Sequence, residues 1–121
     1  MSTDGRLSTE LWVQAHLRTC NAQGVFAAVL RKGDLWGGAV IVKLNLLDGT
    51  FKVLSQTRDM EGRVAWLAAQ QGALLTEPDA TAYIDRQVKR DPDLWVIEVE
   101  DKQGRNPFEG KVVCPSRQLR C

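Results

Sequence analysis

One stretch constrains this chain more than any other: Asp91-Pro92-Asp93-Leu94-Trp95-Val96-Ile97-Glu98-Val99-Glu100-Asp101. A proline stop precedes a short apolar run whose far end carries Glu98, Glu100 and Asp101, so the segment reads as a buried strand opening into a charged mouth. On a strand's period of two, Leu94, Val96, Glu98 and Glu100 share one face, and Trp95, Ile97, Val99 and Asp101 share the other. Both faces begin apolar, and a strand without a polar face needs packing on both sides.

The rest of the chain is read as the cover for that strand. Ser8 is placed to cap a helix from about Thr9 to Asn21, with Glu10 in its first turn and Gly24 as its stop. Two apolar, β-branched runs follow, Val25 to Lys32 and Ala39 to Leu46, and the glycine-rich segment Gly33 to Gly38 between them reads as a hairpin connection. Asp48-Gly49 turns into Thr50 to Gln56, and Asp59 to Gly62 turns into Arg63 to Leu67, which predicts an antiparallel meander. Residues 66–75 fit either a strand or a helix before Gly72 interrupts them, and both readings stay open. Thr76, Pro78 and Asp79 signal the start of a second helix reaching about Arg90, with Ala80, Tyr83, Ile84 and Val88 as its apolar stripe.

This pattern predicts an α/β-type (α+β) fold: a mostly antiparallel or mixed sheet of about five strands with two main helices packed on it. One helix on each face makes three layers; two helices on one face leave the other apolar face to a second subunit, and a homodimer. At 121 residues the chain is long enough for a single core. Residues 1–108 are expected to form one globular domain, and residues 109–121, with proline, glycine and scattered basic residues, a C-terminal tail or arm.

Composition removes several classes of partner. A net charge of +1 gives no global pull toward nucleic acid or an anionic membrane. Met1 to Glu10 has no apolar core of the kind a secretory signal needs, and no apolar run approaches the ~20 residues that span a bilayer. Cys20, Cys114 and Cys121 are an odd, sparse set that fits a reducing compartment, so a cytoplasmic location is expected.

The sequence also resembles an alphaproteobacterial family, the domain-of-unknown-function family numbered 1491. Glu10-Leu11-Trp12-Val13, the run Leu17 to Gly24, the run Gly38 to Lys43 and above all Asp91 to Asp101 carry the resemblance, which covers roughly residues 6 to 108. It implies a bacterial cytoplasmic origin and a compact α/β-type fold, and it brings no activity with it. The segment beyond Phe108 departs from the family's pattern.

Four groups of residues offer chemistry. Glu98 and Glu100 supply hard oxygen ligands of the kind magnesium and manganese take. Glu100-Asp101-Lys102 has the local look of the acid-x-Lys element of metal-dependent nucleases, with Lys102 near the attacking water. Asp93 lies ~23 Å from Glu100 along an extended chain, too far to share an ion. The structural reading of the same acids, which is preferred, has Asp91 and Asp93 organising a turn and Glu98 paired to Lys43 or Arg31.

His16 and Cys20 stand one helical turn apart, the spacing of an imidazole-supported thiolate, and with Cys114 and Cys121 they make four nitrogen and sulfur ligands. No third orienting group and no short Cys-x-x-Cys pair accompanies them, so a buried thiol and a boundary histidine are preferred. Lys102, Arg105, Lys111, Arg117 and Arg120 against Glu109 alone make the C-terminal stretch basic, yet only Phe108 is aromatic there, and nucleic acid is not expected as a partner. Trp12 and Trp95 read as core, and Trp36, on its glycine-rich loop, as a contact residue.

Walker loop, dinucleotide fingerprint, nucleophile elbow and His-Glu-x-x-His helix are all missing from the sequence. The leading expectation is a small cytoplasmic, non-catalytic binding or adaptor protein that self-associates as a homodimer through an apolar sheet face or the first helix, with a further protein partner and no cofactor. The alternative is a magnesium- or manganese-dependent phosphoester hydrolase with Glu98 and Glu100 as metal ligands and Lys102 as the catalytic cation.

Overall fold

A computed structural model of the chain describes residues 8–113. Helix α1 (Thr9–Ala22) starts where the Ser8 hydroxyl accepts the Leu11 N–H at 3.3 Å, and it ends before Gly24, whose φ of 77° only glycine adopts freely. Helix α2 (Glu77–Arg90) starts on the Thr76 hydroxyl, which accepts from Asp79 N, and carries Glu77 and Asp79 in its first turn and Lys89 and Arg90 in its last. Those charges oppose the helix dipole at both ends.

The strands are β1 (Phe26–Arg31), β2 (Val40–Asn45), β3 (Phe51–Arg58), β4 (Val64–Ala68), β5 (Trp95–Glu100) and β6 (Lys111–Val113). They form one mixed sheet in the order β1-β5-β2-β3-β4-β6. The expected two helices on a mixed sheet are present, with six strands rather than about five. The sixth comes from the segment read as a tail: β6 lies parallel to β4, with Trp66 beside Val112. The open stretch 66–75 ends β4, makes a short turn with Gln70 and Gln71 at positive φ, and returns to bridge Phe51 through Leu75.

The predicted hairpin between β1 and β2 does not form, and the simple meander fails with it. Strand β5 inserts between them, antiparallel to β1 and parallel to β2. The connection is instead a strap over the start of β5. Asp34 N donates to Asp93 O at 3.0 Å, and Trp95 Nε1 donates to Asp34 O at 2.7 Å. A Cβ at either Gly33 or Gly38 would stand 2.1 Å from Asp93 O, so these two glycines are what lets the strap lie so close. Glycine-rich sequence signals a hairpin turn and a close crossing alike, which is why the hairpin reading failed.

Each face of the sheet carries one helix, giving three layers. Under α1, Val13 and Cys20 meet Val40, Val42, Leu44, Leu54, Trp66, Trp95, Ile97, Val99 and Phe108. Under α2, Ala80 and Ile84 meet Ile41, Phe51, Val53, Leu94 and Val96. Trp95 is 3 % exposed and Ile97 0 %, so the strand that organises the sequence is interior and sandwiched, and each such aliphatic side chain contributes about 1.5–3 kcal/mol. With a helix on both faces, no whole sheet face is left to demand a second subunit.

Candidate functional site

Strand alternation places Lys43 of β2 on the α2 face, directly beside Glu98 of β5. Lys43 is 5 % exposed, and a buried ammonium needs partners because desolvation would otherwise cost several kcal/mol. Its Nζ lies 3.1 Å from Glu77 Oε2, 3.9 Å from Glu98 Oε1 and 4.9 Å from the centre of the Phe51 ring. Glu98 Oε2 also accepts from Asn45 Nδ2 at 3.2 Å. Lys43 forms one wall of an open pocket of about 240 Å³ between α2 and β1, lined also by Leu30, Arg31, Ile84, Val88 and Val96.

Of the two partners foreseen for Glu98, Lys43 is the one used. Arg31 does something else: its Nη1 donates to Pro92 O at 2.8 Å and Leu94 O at 2.7 Å, tying the edge strand to the turn that launches β5. That turn is organised by the acids as expected, with Asp93 N donating to Asp91 Oδ1 at 3.1 Å. Glu100 shares a face with Glu98 and lies beside Asn45 and Phe26. Lys102 is exposed in the following turn and, among the described residues, bonds to neither glutamate. Asp101 is held by Arg105, whose guanidinium and backbone N–H both donate to it, keeping its carboxyl below the usual carboxylate range. Among the described residues no three His, Cys, Asp or Glu side chains converge as a metal site would require. The geometry around Glu98 is that of a neutralised, bonded carboxylate.

The thiol and imidazole set is not assembled into a nucleophile. Cys20 is 1 % exposed, and burial pushes its thiol upward in pKa, away from the thiolate that attacks. His16 turns to the aromatic rings of Trp12 and Phe108, with Nδ1 2.8 Å from Trp12 O and Nε2 3.6 Å from a Glu109 carboxylate oxygen. Because a carbonyl only accepts, Nδ1 carries the proton in this bond. Cys114 and Cys121, the other two members of the sequence-derived zinc set, lie outside the described residues.

The strap over β5 presents the second site. Asp34 Oδ2 accepts from Trp36 N at 3.1 Å and Gly37 N at 2.8 Å, Glu10 N donates to Leu35 O at 3.0 Å, and Thr9 Oγ1 donates to Gly38 O at 3.0 Å. The backbone is thus pinned to α1 and β5, yet the Trp36 side chain is 79 % exposed. It overhangs a groove of about 500 Å³ lined also by Thr9, Trp12, Gln56, Arg58 and Glu109. Arg58 donates to Gly62 O at 3.0 Å and, among the described residues, pairs with no carboxylate. The sequence pointed to Trp36 through its glycine-rich surroundings. Trp12, read as core, packs half-buried against the core under α1 and also lines the groove, and the participation of Glu77 around Lys43 went unread because helix and strand meet there only in three dimensions.

Fold and site together define a three-layer α+β domain with one buried lysine on a sheet face and, among the described residues, no assembled catalytic group. The family model described as "Protein of unknown function (DUF1491)" matches residues 7–109, and the chain belongs to that family. It is similar to a DUF1491 family protein from Caulobacter crescentus CB15 in a crystal structure, at 38 % identity and a TM-score of 0.78 over 89 % of this chain and 100 % of that one. An NMR structure of a DUF1491 family protein from the same organism gives 39 % identity and a TM-score of 0.73, over 88 % of this chain and 96 % of that one. A solution structure of a protein from A. tumefaciens gives 30 % and 0.67, over 79 % of this chain and 86 % of that one. No curated protein matches the chain. The matched region ends at residue 109, close to where the sequence departs from the family's pattern, and strand β6 begins just beyond it.

Proposed function

We propose that this protein is a small non-catalytic binding or adaptor protein of the cytoplasm that self-associates and presents Trp36 to a further protein partner. The observation that carries the reading is the contrast at Trp36: a side chain 79 % exposed on a backbone held by Asp34, Glu10 and Thr9. Large aromatic rings left in water on a rigid support are what binding hot spots use, because little ordering entropy is lost on contact. Leu35, its neighbour in the chain, is 38 % exposed and extends the apolar surface. The cytoplasmic part of the reading rests on the odd cysteine set; among the described residues no helix is long and apolar enough to cross a membrane.

The hydrolase alternative finds no support. Glu98 is bonded to Asn45 and lies beside Lys43, and manganese is expected to leave the melting temperature unchanged. The binding reading is tested by purifying tagged wild type and Trp36→Ala from the native cytoplasm and identifying what accompanies each. A partner present with the wild type and lost with Trp36→Ala, at unchanged melting temperature, supports it; identical companions for both proteins remove Trp36 from the reading.

A further inference from the structure

We infer that the trough running from Trp36 past Arg58 to Lys111 holds an extended acidic segment of a partner protein, an apolar residue of that segment lying against the indole and its carboxylates on the two cations. This rests on the binding role proposed above for Trp36 and names the chemistry of the partner. The groove of about 500 Å³ beneath Trp36 and an adjoining one of about 600 Å³ share Arg58, Val64 and Glu109 as walls, so they make one continuous surface. Its far end is formed by Arg63, Gly110 and Lys111.

The charge left free along this trough is positive. Its two acids are engaged: Asp59 accepts from the Glu61 and Arg63 N–H groups, both at 2.9 Å, and lies 3.5 Å from the Arg63 guanidinium, while Glu109 lies 3.6 Å from His16 Nε2. Arg58 and Lys111 are both exposed and, among the described residues, neither has an ion-pair partner. Lys111 acts on Asp59 only at longer range, as the least of the influences that lower its carboxyl, the Arg63 N–H being the first. Arg58 gives one donor to the Gly62 carbonyl, which leaves the rest of its guanidinium for a carboxylate.

The trough also offers main chain. The β2–β3 ladder ends at Ile41 and Ser55, whereas β3 runs on to Arg58 with β4 alone beside it. Where the next rung would form, Val40 N–H donates to the Gln56 side chain instead, at 3.0 Å. Beyond that point Gly37 and Gly38 stand with Thr57 and Arg58 as walls of the groove rather than in a ladder. Main-chain groups alternate in direction along a strand, and Asp59 N–H bonds to Arg63 O on the β4 side, so those of Arg58 point to the vacated side. A strand end paired on one side only can take an extended peptide, as sheet edges do. The same feature separates the candidate occupants: a single nucleic-acid strand would use the indole and the cations but has no main-chain N–H and C=O pair to complete a ladder, and a net charge of +1 gives it no field.

Selection of a displayed random-peptide library on the full chain, followed by fluorescence-anisotropy titration of the enriched peptides, tests the inference. Expected are peptides that join an apolar or aromatic residue to several acids. Their binding should weaken roughly tenfold or more in Trp36→Ala and in Arg58→Glu, less in Lys111→Glu, and further as salt is raised. Arg58 and Lys111 are exposed, so the melting temperature of each variant is expected at the wild-type value; if Arg58→Glu does not fold, Arg58→Gln reads the same contact. An unenriched library, enriched peptides without acids, or acidic peptides indifferent to the loss of Arg58 overturn the inference. So does an oligouridylate that the wild type binds and Arg58→Glu does not, when no acidic peptide is enriched. A companion protein lost with Trp36→Ala and kept with Arg58→Glu overturns the acidic segment while leaving the Trp36 reading standing.

Discussion

The two faces of one sheet, built from alternate residues of the same strands, are different materials. Beneath α1, Val42, Leu44, Trp66, Trp95, Ile97 and Val99 form a dry layer, whose buried indole N–H groups are satisfied by the Glu109 and Asp34 carbonyls at 2.8 and 2.7 Å. One residue along each of β2 and β5 lie Lys43 and Glu98, with Asn45 beside them and an open pocket under α2. A dry layer loses both transfer energy and packing when it is cut, whereas a polar layer loses mainly the pairing of its charges. Stability should therefore be concentrated under α1, and adaptability under α2.

The largest expected effect tests that division directly. Trp66→Ala, at a residue with 0 % exposure, is expected to cost about 3–5 kcal/mol in urea unfolding. That is a large share of the ~5–15 kcal/mol that holds a domain of this size together. Ile84→Ala, the corresponding cut under α2 where an open pocket already exists, should cost about 2 kcal/mol, at the low end for such a truncation. Equal losses at the two sites would break the comparison.

Gly38→Ala comes next and acts where the faces meet, at the strap over β5. The added methyl would stand 2.1 Å from Asp93 O and 3.1 Å from Asp34 N, both backbone atoms, so the strap must lift and its bond to β5 with it. A loss of about 2–3 kcal/mol is expected, read as a lower unfolding midpoint with accelerated amide exchange at Asp34. Protection of Asp34 as in the wild type would show that the strap is not what locks β5 in place.

Lys43→Met then sharpens the account of the polar layer. Removing the cation leaves Glu98, whose side chain is 19 % exposed, facing an apolar neighbour with only Asn45 to bind it; a cost of about 2 kcal/mol is expected, below that of a fully buried pair because water reaches the carboxylate. Lys43→Met combined with Glu98→Leu should recover most of it, since replacing both members by apolar groups removes the stranded charge. A double variant no better than Lys43→Met would mean that the pair does more than neutralise itself.

Much of this contrast was legible in the chain. Period-two alternation in Leu94 to Glu100 announced an interior strand with cover on both sides, and the capping residues Ser8 and Thr76 placed both helices. The pairing of Lys43 with Glu98 followed from a cation in an apolar strand needing a partner. Strand order was not legible, because a glycine-rich link of six residues reads the same whether it turns back on itself or crosses a third strand; only the clash a Cβ would make with Asp93 O separates them. Strand β6 was missed since three residues are too few for periodicity to show. Around the candidate sites, the sequence singled out Trp36 but gave no sign that Trp12 and Arg58 would line the groove beneath it, since neither neighbours it in the chain.

The smallest effect lies at the rim, where β5 leaves both layers, and it separates acid sensitivity from the polar face. Arg105 holds the Asp101 carboxyl below its usual range, so the folded state binds its proton later than the unfolded chain does. Such a group adds stability that is complete above the unfolded value of about 3.9 and is lost as pH falls through the lower folded value. Arg105→Ala should therefore be slightly less stable than the wild type at neutral pH, with the gap closing under acid and shrinking in salt, because the guanidinium is exposed. Parallel stability curves for the two proteins from pH 7 down to about pH 2 would assign acid sensitivity elsewhere, with Asp59, held below its usual range by the Arg63 backbone N–H, as the next carboxylate to substitute.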